Sequence, residues 1–172
     1  MMGLAGSGKG TQGNLLSEKF GYEYLSTGEY LREYLSEERK KQILAGKLVD
    51  DNEMIQIIDE FLSKTKKDSI LDGFPRSKVQ ADWLLGKHKD QEINIEAVVY
   101  LKVSKDELVH RLIERGRADD TEEAINTRFD EYTRATLPIL DEYKHEGIKI
   151  IEVDGRGSID GIHESILERL GK

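Results

Sequence analysis

The run GLAGSGKGT, residues 3–11, with a helix-forming stretch directly behind it, restricts the fold more than any other part of the chain. Glycines let the backbone curl so that successive N–H groups point inward, a concavity that suits phosphate oxygens. A helix that starts there adds its positive end, and Lys9 adds a point charge within reach of the outer phosphates. Gly3, Gly8 and Lys9 fit the P-loop spacing G-x-x-x-x-G-K-[ST], except that Gly10 takes the hydroxyl position and Thr11 follows one residue later. A flexible glycine-rich terminus is the plain alternative, and the Gly-Lys-Gly-Thr order with its helix speaks for the loop.

The rest of the chain alternates in the way such a loop requires. Residues 11–21 carry Leu15, Leu16 and Phe20 at helical spacing and stop at Gly21. Short strands are expected in YEYLS, in Asp68 to Phe74, in IEAVVYLKV and in IKIIEVDG. Helices are expected in the highly charged GEYLREYLSEERKKQILAGK, the amphipathic NEMIQIIDEFLSK, QADWLLGKHK, KDELVHRLIERG and SIDGIHESILERLG, and a long one beginning at Thr121 breaks or kinks near Pro138. Strands alternating with helices imply an α/β fold, a parallel sheet covered on both faces.

The 172 residues make one domain, or one core with small inserts. A formal net charge of −8 argues against a nucleic-acid binder, which would need a basic footprint. The absence of Cys excludes disulfides and Cys-based zinc sites. No apolar run reaches membrane-spanning length, so a soluble, cytoplasmic chain without a membrane partner is expected. His88, His110, His145 and His163 show no metal-ligand spacing, and Trp83 with Leu84 and Leu85 reads as core.

Five stretches occur in order: GSGKGTQ, STGEYLR, AGKLV, DGFPRSKVQ and RGRADD with a later Arg. Together they resemble the adenylate kinases, of the nucleoside monophosphate kinase family, over essentially the whole chain. The resemblance implies a three-layer P-loop fold with a sheet of about five strands, a small AMP-binding insert and a short lid. The corresponding expectation is a core of residues 1–25, 56–114 and 122–172, an AMP segment of 26–55 and a lid of 115–121. The activity implied is reversible transfer of a phosphoryl group from Mg-ATP to AMP, giving two ADP, by a monomer.

Residue by residue, the resemblance puts ATP on Gly6, Ser7, Gly8, Lys9, Gly10, Thr11, Arg111 and Arg115, with Arg111 on the adenine. AMP falls to Thr27, Gly28, Arg32, Lys47, Leu48, Val49, Gly73, Arg76, Gln80, Arg117 and Arg128. Lys9, Arg76, Arg115, Arg117 and Arg128 are the implied catalytic groups. The chemistry suits them, because phosphoryl transfer needs charge stabilisation around spread negative charge and no general base for an acceptor already anionic. A guanidinium fork matches two phosphate oxygens, which Lys cannot do. Asp72 closes an apolar strand, where ligands sit in open parallel sheets, and would hold Mg2+ through water; an Asp capping a turn is the alternative. For Arg32 the alternative is a solvated Arg on a charged helix, and for Arg111 and Arg115, a basic helix end. Asp120 with Glu123 reads as a helix cap, while in the family Asp119 and Asp120 also engage arginines. DGRGS, residues 154–158, is either a loop near the donor adenine or a plain turn. Thr27 with Gln80 favours AMP as acceptor, the Gln amide being able to donate to and accept from an adenine edge.

Four departures accompany the resemblance. Only Met1 and Met2 precede Gly3, where a strand of ~5–6 residues is ordinary; an apolar extension in the natural chain is expected, or else a gap in the middle of the sheet. The segment between Arg32 and Gly46 is short, Glu29 stands where Asp is usual, and Ala5 where many relatives have Pro. Two competing classes remain: a small P-loop kinase acting on CMP, UMP or a hydroxylated metabolite, and a nucleotide-binding sensor without turnover.

Overall fold

The computed structural model describes residues 1–34, 50–117 and 120–172. Among these residues four strands alternate with helices: β1 Glu23–Ser26, β2 Ser69–Asp72, β3 Val98–Lys102 and β4 Ile150–Asp154. The helices are α1 Lys9–Phe20, α2 Thr27–Tyr34, α3 Asp51–Lys64, α4 Lys78–Lys89, α5 Lys105–Arg115, α6 Glu122–Glu131, α7 Leu137–His145 and α8 Ile159–Leu170. Several ends follow directly from sequence. Asp50 caps α3 by accepting from Asn52 N–H at 2.9 Å, Ser158 caps α8 by accepting from Gly161 N–H at 3.1 Å, and Gly21, in the left-handed region, ends α1.

β1 pairs with β2 and β3 with β4, both parallel. The two pairs are joined by Met1 and Met2. Met1 N donates to Leu71 O at 2.6 Å and Gly73 N–H donates to Met1 O at 3.3 Å, while Met2 N–H donates to Val99 O at 2.8 Å and Leu101 N–H to Met2 O at 3.0 Å. These two residues therefore hold the central position of the sheet, in the order β1, β2, Met1–Met2, β3, β4, and the P-loop leaves from its middle.

Side-chain alternation distributes the sheet between two helical layers, as period two requires. Met2, Val98, Tyr100 and Ile150 face a cluster with Leu85, Ile139, Leu140 and Tyr143, from α4 and α7. Met1, Val99, Leu101, Ile151 and Val153 face Leu16, Ile162 and Ile166, from α1 and α8. A third cluster, with Met54, Ile58, Phe74 and Leu84 at its centre and Trp83 at its edge, packs α3 on α4. Met2 is 3% exposed, so Met2→Ala should cost about 2–4 kcal/mol of stability. Urea or thermal unfolding checks this, and a loss below about 1 kcal/mol would mean that the central position is not held by side-chain burial.

The break expected near Pro138 takes the form of a π-turn, Tyr132–Thr136, between α6 and α7. Proline lacks an N–H and its ring crowds the carbonyl four residues back, and widening the preceding turn relieves that; Leu137 N–H accordingly bonds to Tyr132 O, five residues back. The cap of α6 is a correction. Thr121 provides it, its Oγ1 accepting from Ala124 N–H at 3.2 Å, because Asp120 is turned away to the arginines described below. Among the described residues no helix is long and apolar enough to cross a membrane.

Candidate active site

The P-loop turns into α1 through Gly8, which stands at φ +96 ahead of the first helical residue, Lys9. Ser7 is fully buried and its hydroxyl has no partner among the described residues. Lys9 Nζ donates to Leu4 O at 2.8 Å, folding the side chain back over the loop. Burial pushes its ammonium down to about 8; the carboxylate of Asp72 counters that, and the cations of Arg76 and Arg115 add to it. Lys9 therefore feels charges from β2, from the following loop and from α5 at once.

Beside the loop lies a cavity of about 350 Å³, lined by Gly6, Ser7, Gly8 and Thr11 on one side and by Arg111, Gly157 and Ile159 on the other. Arg111 is fixed at two points, with Nε donating to Glu107 Oε1 at 2.7 Å and Nη1 to Gly155 O at 3.0 Å. The DGRGS turn thus holds the Arg111 guanidinium, for which the resemblance implies a place at the adenine. Gln12, buried behind the loop, ties α1 to α8. Its Nε2 donates to Ile159 O at 2.9 Å, and its Oε1 accepts from His163 Nδ1 at 3.1 Å.

Asp72 ends β2 and is 7% exposed. Its Oδ2 accepts from the Tyr24 hydroxyl at 3.0 Å, while Oδ1 is buried without a hydrogen-bond partner among the described residues. An orphaned carboxylate oxygen beside a phosphate loop fits a hydrated cation. Mg2+ keeps several of its waters, and Gly10 brings no hydroxyl for direct ligation. Among the described residues no cluster of three or more His, Cys, Asp or Glu could hold a metal ion.

On the other side of Asp72 a group of residues is organised around Arg76. Its Nε donates to Gly73 O at 2.6 Å and its Nη2 to Thr27 Oγ1 at 3.1 Å. Its own N–H donates to Gln80 Oε1 at 2.8 Å, and its carbonyl accepts from Thr136 Oγ1 at 2.8 Å. Gly73 sits at φ +78, and a Cβ there would come within 2.7 Å of Arg76 Nη2 and 2.8 Å of Thr27 Oγ1, so only glycine allows this approach. Thr27 is 1% exposed, its hydroxyl shared between Asp72 O and Gly73 O, each at 3.1 Å. Gln80 is held at both ends of its amide, Nε2 donating to Asp51 Oδ1 at 2.8 Å. Both residues read from sequence as base-contacting therefore brace Arg76 in this structure. Gly28 brings the second fork alongside: a Cβ there would lie 3.5 Å from Arg32 Nη1 and 4.0 Å from Arg76 Nη2.

Asp120 gathers two further arginines. Arg115 donates Nε to its Oδ2 at 2.9 Å and Nη2 to its Oδ1 at 2.7 Å, and Arg128 Nη1 donates to Oδ1 at 3.2 Å. Burial alone would raise this carboxyl, but the bonds and charge of Arg115, with those of Arg128, hold it below the usual range. Arg117 is exposed, and its carbonyl accepts from Asp120 N–H at 2.9 Å. Lys47, Leu48, Val49 and Asp119 lie outside the described residues. Tyr24, Thr136 and Gln12 have no role in the sequence reading of the site. Only glycines at unusual positions, Gly13 within a helix and Gly155 after a strand, signalled such close approaches.

A family model described as adenylate kinase matches residues 1–148. The adenylate kinase of Corynebacterium aurimucosum is 39% identical over 180 aligned positions, covering 100% of this chain and 98% of that protein. That of Prochlorococcus marinus is 39% identical over 178 positions, covering 99% and 96%, and that of Mycobacterium ulcerans 39% over 180, covering 100% and 98%. With the phosphate loop, the terminal aspartate of β2 and the braced arginines in their expected order along the chain, the chain belongs to the adenylate kinase family.

Proposed function

We infer that this chain transfers the γ-phosphoryl group of ATP to AMP, reversibly, giving two ADP, and that the residues gathered at the ends of β2 and α1 carry the reaction. The observation that supports this most is the pair of differently built sides around Asp72. On one side is a loop of N–H groups with Lys9, and on the other is an arginine fork braced at four points.

In this reading the P-loop N–H groups and Lys9 hold the donor phosphates, and Arg111 with the DGRGS turn forms the wall against which the donor base rests. Arg32 and Arg76 clamp the acceptor phosphate. Gln80 and Thr27 keep Arg76 aimed, and through Gly28, Gly73 and the Lys47–Val49 backbone the acceptor nucleoside is held nearby. Mg2+, held through water by Asp72, would supply neutralisation of charge on the phosphates. Arg115, Arg117 and Arg128 stabilise the negative charge that spreads over the transferring group. Asp120 keeps Arg115 and Arg128 side by side before substrate arrives, so little reorganisation is left for the reaction. The acceptor phosphate is its own nucleophile, so no proton has to be removed from it.

Residues 115–121 act as a short lid that excludes water, a competing acceptor. Residues 26–55 form the acceptor segment, and residues 1–25, 56–114 and 122–172 the core. The enzyme works as a cytoplasmic monomer with no nucleic-acid or membrane partner, as an acidic surface of net charge −8 favours.

The test is ADP formation from Mg-ATP with AMP, CMP, UMP and GMP compared side by side. Turnover is expected with AMP, at a kcat/KM at least about tenfold above the other acceptors, a gap of ~1.4 kcal/mol. Equal turnover with CMP or UMP would assign the chain to the pyrimidine-directed kinases. Tight ATP and AMP binding without ADP production would make it a sensor.

A further inference from the structure

Gly13 occupies the interior of α1, where glycine is less favourable than alanine. A Cβ at this position would stand 2.5 Å from Cε2 of Tyr24 and 3.3 Å from its Cδ2 and Cζ. The helix has therefore given up a side chain to let the Tyr24 ring lie against its backbone. One turn earlier on the same face, Gly10 lies beside the hydroxyl end of the ring: a Cβ there would make ordinary contacts, 3.7 Å from the Tyr24 hydroxyl and 3.9 Å from Asp72 Oδ2. Through this channel the phenol crosses from β1 to β2 and donates to Asp72 Oδ2 at 3.0 Å. The other oxygen, Oδ1, is left buried and without a partner among the described residues.

We propose that Tyr24 is a positioning residue for Asp72: by donating to Oδ2 it fixes the carboxylate so that Oδ1 is the oxygen presented to the water shell of Mg2+. This rests on the role given to Asp72 above. A carboxylate held by one bond at one oxygen cannot rotate to exchange its two oxygens without breaking that bond, so the free oxygen is preorganised. Gly13 then has an explanation, the space needed by the ring that carries this hydrogen bond.

The decisive variant is Tyr24→Phe, which keeps the ring and its packing and removes only the donor. In metal-free, nucleotide-free protein, the 13Cγ NMR shift of Asp72 should move relative to wild type. In turnover, the free Mg2+ needed for half-maximal rate should rise about 3–10-fold, with KM for AMP changed less than twofold; a tenfold change corresponds to about 1.4 kcal/mol. Gly13→Ala displaces the same ring from the helix side and should give the same pair of signatures. An unmoved Asp72 shift together with an unaltered Mg2+ requirement in Tyr24→Phe would overturn the proposal and leave Tyr24 a packing residue. Asp72→Asn separates this from its premise: if that variant keeps the wild-type Mg2+ requirement, the role of Asp72 falls, and the proposal with it.

Discussion

Replacing Lys9 with Met should lower kcat by a factor on the order of 10²–10³ while making the protein more stable. The two effects have one cause. Lys9 is drawn into the loop, its Nζ bonded to Leu4 O at 2.8 Å, and burial pushes its pKa down to about 8. The folded protein thus binds the proton on Lys9 less readily than the unfolded chain does. Below pH about 8 both states are charged, and the folded state bears the full unfavourable difference. As pH rises from about 8 toward the ordinary lysine value the folded state has already lost the proton and the unfolded state has not, so the penalty disappears there. Allowing for the residual exposure of Lys9 and the lost bond to Leu4, the gain on removal is about 1–2 kcal/mol at neutral pH, or ~2–8 °C in Tm for a chain of this size. Wild-type kcat/KM for ATP should fall as pH rises through about 8, because the free enzyme loses the phosphate-directed charge, and that limb should be absent from the variant. Steady-state kinetics across pH with parallel thermal melts checks all of this. A Tm below wild type at pH 7 would mean that Lys9 serves the fold and not only the reaction.

The same conflict between stability and function runs through the site and explains what was legible in the sequence. The GLAGSGKGT loop could be read because its chemistry is local: glycines, a lysine and a helix start lie within nine residues, 3–11. The strands could be read because β3 and β4 alternate between two buried faces, so their apolar residues are continuous. Thr27 and Gln80 point toward a base in the sequence because a hydroxyl and an amide suit one. Their partners, Gly73 O and Arg76 for Thr27, Asp51 and Arg76 for Gln80, come together only through the sheet and the α3–α4 packing. Asp120 fits a capping pattern by spacing alone, and Thr121 is as good a cap. What decides between them is Arg128, eight residues along the chain in the last turn of α6, which reaches back to Asp120; capping spacing does not encode this. Thr136 reaches the Arg76 carbonyl from a π-turn. Pro138 announces a break there without specifying that the break turns Thr136 inward. Chemistry carried by neighbours in sequence is visible in advance, and chemistry assembled across the sheet is visible only as glycines where glycine is unfavourable.

Arg76→Lys should lower kcat/KM for AMP about 10²–10³-fold and leave ATP affinity within about twofold, a difference of ~0.4 kcal/mol. The charge survives this change, so the loss isolates geometry. The guanidinium is held by Gly73 O at 2.6 Å and Thr27 Oγ1 at 3.1 Å, while the backbone on either side is held by Gln80 and Thr136. With two of its donors engaged on the scaffold, the planar fork still has donors left to meet two oxygens of a phosphate. A lysine ammonium has three donors on a flexible stem and no fixed plane, so it cannot brace and clamp together. It would also leave the Thr27 hydroxyl and Gly73 carbonyl with one partner fewer, but Arg76 is exposed enough for water to replace it, and stability should change by less than about 1 kcal/mol. The measurement is initial rate against AMP at saturating Mg-ATP, with a fluorescent ATP analogue titrated separately. A loss confined to KM would mean that the fork binds AMP equally in ground and transition states; equal losses in kcat and kcat/KM would place its contribution in the transition state alone. A fall of less than tenfold in kcat/KM would show that one positive charge at this position suffices, and that the four-point brace around Arg76 serves the fold of the β2–α4 turn instead of the acceptor.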